Sequence, residues 1–169
     1  MSTSVVARFE SSLDELGVSM TRTKAADFEA TIASLVGDPA VGVALGEYEG
    51  LSLSDTGVEI PPTPRRLKDS RTGVTPVAKA VAEYGTLVLD SDSAGTEPVS
   101  LYPPHHVGIV RESDVLETVD DAGEHLRDRF AAGASSIFAT GVSSTGDMGS
   151  LVEGVHGPKD VDVVLVTDR

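Results

Sequence analysis

A chain of 169 residues with 40% hydrophobic content is long enough for one domain with an ordinary core, but aromatics make up only 4% and Trp is absent, so that core must rest on Val, Leu, Ile and Ala. Lys and Arg number 13 against 27 Asp and Glu, a formal charge of -14, which disfavours nucleic acid and anionic lipid as partners because both must be met with positive charge. Cysteine is missing, which excludes disulfides, thiolate catalysis, zinc–thiolate sites and a self-contained iron–sulfur cluster; any redox centre must come from elsewhere.

Val6, Phe9, Leu13 and Leu16 recur at spacings of three and four before Gly17, which predicts an amphipathic helix over residues 3 to 16 with a left-handed stop. Val18 to Arg22 alternates as a strand does. Phe28, Ile32 and Leu35 mark a second helix, Ala25 to Val36, closed by Gly37 and Asp38-Pro39, and a strand follows at Val41 to Leu45. From Gly46 to Pro64 the pattern weakens into Gly, Ser, Asp and Pro, with Val58-Glu59-Ile60 alone resembling a strand. Thr63-Pro64 suits the cap and first position of a helical turn. Thr75 as cap, Pro76 as opener and Gly85 as terminator predict a helix over Val77 to Tyr84, beside a buried strand at Thr86 to Leu89. Short strands are expected at Val99 to Leu101 and Val107 to Val110, a helix along the stripe Val115, Val119, Ala122, Leu126, Phe130, and buried strands at Ser136 to Ala139 and Val161 to Val166. Alternating helices and strands without repeats predict a single α/β domain, residues 1 to 169, with a mostly parallel sheet flanked by helices.

The acidic residues are scattered from Glu10 to Asp168, which excludes an acidic tail, and Lys occurs at four positions only. The preferred reading is adaptation to a halophilic cytoplasm, where molar salt shortens the Debye length to about 3 Å and screens self-repulsion. No basic-then-apolar leader and no apolar run approaching a membrane span is present, so a cytoplasmic location is expected.

Function is expected in Thr140 to Pro158, a Gly-rich turn, short helix and second turn between two strands, because open α/β sheets place ligands at the carboxyl ends of their strands. Gly141, Ser143, Ser144, Thr145 and Asp147 offer amides and hydroxyls able to hold a carboxylate or phosphate, although the same residues are favoured as helix caps. Glu83, near Gly85-Thr86, is either a buried general base or a solvent-facing helix residue. His105 and His106 are adjacent and must point to opposite faces of a strand, so at most one faces the site. His106, His156 and Asp147 do not have the spacing of a recognised metal signature, and no metal is expected; His156 before Gly157-Pro158 reads as a ligand contact or a turn residue. The dinucleotide fingerprint, Walker A, H-E-x-x-H and the nucleophile elbow are all absent.

Taken in order, Thr72-Gly73-Val74-Thr75, Ala82-Glu83-Tyr84-Gly85-Thr86, Pro103-Pro104-His105-His106-Val107, Thr140 to Met148 and Gly154-Val155-His156-Gly157-Pro158 resemble the LUD domain family, with the motifs concentrated in residues 72–166. Thr72, Gly73, Glu83, Gly85, Thr86, His106, Gly141, Ser143, Thr145, Asp147, His156, Gly157 and Pro158 fall on the family pattern, while Val142 stands in place of a Pro and Gly149 in place of a Glu. The resemblance implies a fold like the ribose-phosphate isomerase and CoA-transferase group. It further implies a role in oxidising L-lactate to pyruvate beside partner subunits that carry iron–sulfur clusters, with no cofactor on this chain and a small carboxylate or phosphate as ligand. Glu83, His106 and His156 would then orient the ligand or exchange protons. A stand-alone enzyme acting on a small phosphorylated or carboxylated substrate is the alternative.

Overall fold

The computed structural model describes residues 4–46, 48, 50–143 and 156–169. Its frame is a six-stranded, all-parallel sheet: β1 (Ser19–Thr23), β10 (Asp160–Val166), β7 (His105–Arg111), β4 (Thr72–Pro76), β2 (Ala40–Gly42) and β3 (Val58–Glu59), in that spatial order. The central strands are Val-rich and buried on both faces, as parallel strands between covering layers must be.

Residues of opposite parity on the same strand feed two cores. Val74, Val107, Ile109, Val164 and Val166 pack with Phe28 and Ile32 of α2 (Phe28–Leu35) and with Tyr48 and Leu53. Val110, Val163 and Leu165 pack on the other face against Phe9 and Leu13 of α1 (Val5–Glu15) and against a second sheet. That second sheet has four strands in the order β8 (Val115–Leu116), β5 (Lys79–Val81), β6 (Thr86–Asp90) and β9 (Ser136–Thr140), with β5–β6 and β6–β9 antiparallel. Ala122, just before α5 (Gly123–Ala131), packs on the outer side of this sheet with Val81 and Val88.

Local chemistry explains the elements that match the sequence reading. Ser4 caps α1 by accepting from Ala7 N at 3.2 Å, and Gly17 ends the helix at φ +70. Thr63 caps α3 (Pro64–Asp69) with Pro64 at its opening.

Three assignments are corrected. Val77 to Tyr84 is not a helix: Thr75 and Pro76 belong to β4, Ala78 N donates to Val88 O at 2.9 Å, and β5 turns back into β6 through Ala82–Gly85, with Gly85 at φ +66. Strand pairing outweighs the helical propensity of an Ala-rich segment. Val99 to Leu101 lies in a helix, α4 (Thr96–Leu101), opened by the Asp92 carboxylate, which accepts from Gly95 N, Thr96 N and Thr96 Oγ1. The stripe from Val115 to Phe130 is not one helix: Val115-Leu116 is β8, Asp120–Ala122 is a 3-10 turn, and the α-helix begins at Gly123.

Candidate functional site

Register sets the site. At the amino ends of the central strands, Thr72, His105 and Asp160 stand abreast, followed by Gly73, His106 and Val161. Adjacent residues point to opposite faces, so the two histidines occupy different environments.

His106 faces the second sheet and is 2% exposed. Its Nε2 is 2.9 Å from Thr75 Oγ1. Burial, reinforced by the neighbouring His105, pushes its pKa down to about 4, so the ring is neutral at neutral pH. A ring held neutral in this way is a poor proton exchanger at neutral pH. It lines a small, partly open cavity of about 30 Å3 with Leu13, Gly85, Gly141 and Pro158, large enough for a water molecule. Gly73 beside it must lack a side chain, since a Cβ there would drive into the carbonyl oxygen of Val99 on α4.

Around this cavity the sequence-predicted segments gather. Thr86 Oγ1 and Thr140 Oγ1 are 2.7 Å apart, joining the ends of β6 and β9. The adjoining residues, Gly85 and Gly141, both have positive φ, which a side chain would strain, and both lie close against Leu16. Ser143 N donates to Pro158 O at 2.9 Å and His156 N donates to Ser143 Oγ at 3.1 Å, tying the two ends of the 141–158 connection together, with Gly157 against Ser143. Ser144, Thr145 and Asp147 lie outside the described residues. Glu83 does not join the group. Its Oε2 accepts from Val119 N at 3.4 Å, and its own N donates to Glu117 O, so it braces the β5–β8 margin.

Across the amino ends of the large sheet's strands, Thr72 and His105 open a wider groove of about 810 Å3, whose lining includes Ser19, Arg71, Val142, Lys159 and Asp162. Gly37 N donates to Thr72 Oγ1 at 3.0 Å, Thr72 Oγ1 lies 3.2 Å from His105 Nδ1, and His105 Nε2 lies 2.7 Å from Asp162 Oδ2. An ionised carboxylate only accepts, so the neutral tautomer that fits this chain donates from Nε2 and accepts at Nδ1 from the Thr72 hydroxyl. Asp162, Arg71 and Lys159 were not singled out from the sequence, and His105 entered there only as the neighbour of His106. The available signal was Asp162 itself, a charge inside the apolar run Val161 to Val166.

Two further expectations are corrected. β9 is the edge strand of the smaller sheet, with Phe138 43% exposed, and is not a buried strand. The motif residues collect at the amino ends of the large parallel sheet, because the 141–158 connection leaves β9 and enters β10 at its start. The carboxyl ends hold a separate cavity of about 330 Å3 whose charges are paired internally: Lys79 and Arg111 both bond Asp114, and His125 and Arg129 both engage Asp90.

Among the described residues no group of His, Asp and Glu is arranged to hold a metal ion, and no helix is long and apolar enough to cross a membrane.

Comparison with known proteins matches residues 4–166 to the family model described as LUD domain. The chain is 29% identical to lactate utilization protein C of Deinococcus radiodurans, over 96% of this chain and 79% of that protein. It is 32% identical to lactate utilization protein C of Bacillus subtilis, over 78% of this chain and 54% of the relative, so it spans about half of that protein's length. A crystal structure of a DUF162 family protein from Deinococcus radiodurans superposes with a TM-score of 0.77 at 27% identity, covering 96% of both chains.

Proposed function

We propose, from the premise that this chain belongs to the LUD domain family, that it serves lactate utilization as an accessory or substrate-binding subunit of an L-lactate oxidation system. The names of its relatives support the pathway, and the lack of cysteine supports electrons being carried on iron–sulfur clusters of partner subunits. The observation that carries the reading is the gathering of Gly73, Gly85-Thr86, His106, Gly141 to Ser143 and His156 to Pro158 at one end of the large sheet. In this reading the 141–147 loop grips a small carboxylate through the amides and hydroxyls of Ser143 and its neighbours Ser144 and Thr145, while Asp147 can only accept a hydrogen bond from the ligand. His156, exposed at the loop's return, orients it, and His106 holds the rim in place as a neutral donor or acceptor. The protein acts in the cytoplasm.

The test is lactate-dependent growth and co-purification in the native host. Deletion should abolish growth on L-lactate, Ser143→Ala should fail to restore it, and the tagged chain should bring down iron–sulfur subunits. Unimpaired growth of the deletion strain overturns the proposal.

The Thr72–His105–Asp162 chain favours a second reading, a stand-alone enzyme acting on a small carboxylated or phosphorylated substrate, since a hydroxyl, a base and an orienting carboxylate in series are the parts of acid–base chemistry. Turnover by the isolated chain would decide for it.

A further inference from the structure

We infer that the groove at the amino ends of β4, β7 and β10 is a binding site for a small 2-hydroxycarboxylate, with Arg71 and Lys159 taking the carboxylate and Asp162 accepting the hydroxyl. The inference deepens the lactate reading and rests on it for the choice of acid, but it moves the ligand's anchors off the 141–147 loop.

The lip of the groove is made by the residues just before the three strands. His105 N donates to Arg71 O, and Lys159 N donates to Pro104 O, so Arg71 and Lys159 flank the start of β7 on its two sides. Both side chains are exposed, and neither forms an ion pair with a described residue. Arg8, Arg22, Arg66, Lys79, Arg111 and Arg129 are matched to carboxylates, whereas Lys24, Lys68 and Arg127 likewise lack an ion pair with a described residue; what sets Arg71 and Lys159 apart is that they line one groove. Two cations at one groove, unmatched among the described residues, form an anion receptor whose reach suits a carboxylate.

Below the lip the groove is built and rigid. His105 uses Nε2 to hold Asp162 Oδ2, and Nδ1 is held by Thr72, which is 1% exposed and itself fixed by Gly37 N. Asp162 is only partly buried, with one oxygen engaged by His105, and no other described group bonds it. Its second oxygen is an acceptor that asks for a donor. A ligand that satisfies both ends carries an anionic head and a hydroxyl on the adjoining carbon. Asp160 on the same lip repels a second negative charge, which disfavours dicarboxylates and multiply charged phosphates.

The test is calorimetric titration of the whole chain with L-lactate, propionate and inorganic phosphate. L-lactate should bind about tenfold more tightly than propionate, which lacks only the hydroxyl. Arg71→Gln combined with Lys159→Gln should weaken both acids by about tenfold or more, and Asp162→Asn should reduce the preference for lactate while sparing propionate. Equal affinity of wild type for lactate and propionate, tighter binding of phosphate than of lactate, or unchanged affinity in the double variant each overturns the inference. Lactate binding lost in Ser143→Ala but retained in the double variant returns the ligand to the loop, overturning the groove and leaving the proposed function in place.

Discussion

The sharpest consequence of the fold is a pH dependence of stability centred on His106. The ring is fully enclosed between the two sheets, and its pKa of about 4 lies below the ordinary value of 6.5. In the unfolded chain the imidazole protonates near pH 6.5, whereas in the folded chain it resists until about pH 4, so the unfolded state binds the extra proton between these values. Stability from this group is therefore fully present above about pH 7, falls as the pH drops, and is gone below about pH 4. A displacement of that size corresponds to about 3 kcal/mol in total, of which about 2 kcal/mol is lost by pH 5. The perturbation is His106→Gln, which removes the titrating group and keeps a polar atom facing Thr75. Urea unfolding between about pH 7 and pH 5 should show the wild type losing about 2 kcal/mol more than the variant, carboxylate titrations being common to both. Identical slopes for the two proteins, or an NMR titration of the His106 ring with a midpoint near 6.5, would refute the reasoning.

Asp114, 4% exposed and bonded by both Lys79 and Arg111, joins β5 to the end of β7. Asp114→Asn leaves two partly buried cations facing a neutral group, and chemical denaturation should show a loss of about 3 kcal/mol; a change below about 1 kcal/mol would mean the cluster is solvated in solution. Gly73→Ala places a methyl against the Val99 carbonyl and should lower the melting temperature by several degrees, whereas an unchanged melt would show that α4 is free to shift.

The α/β class was legible because Phe9, Leu13 and Gly17, or Phe28 and Ile32, carry their period and their stops locally. The same logic failed at Val77 to Tyr84. Ala78, Ala80 and Ala82 fit a helix as well as a strand, and the choice was made by hydrogen bonds to Val88 and Leu116, distant in sequence. Val99 to Leu101 failed because Asp92, upstream of the segment, holds the turn that leads into the helix by accepting from Gly95 N and Thr96 N. In the site, the opposite orientations of His105 and His106 followed from strand geometry alone, and the closeness of Gly85, Gly141 and Pro158 agrees with the motif grouping. Which histidine meets the open groove depended on which sheet face carries α2 and which carries the second sheet. Pairing His105 with Asp162 across β7 and β10 needed the register.

The connection between β9 and β10 begins at the margin of one sheet and ends in the middle of the other, and its two ends are fastened through Ser143 to His156 and Pro158. It is therefore a clasp between layers that otherwise meet through aliphatic side chains alone along much of their contact. Whatever settles on that clasp is felt by both layers at once, and occupancy there is converted into resistance of the whole molecule to coming apart.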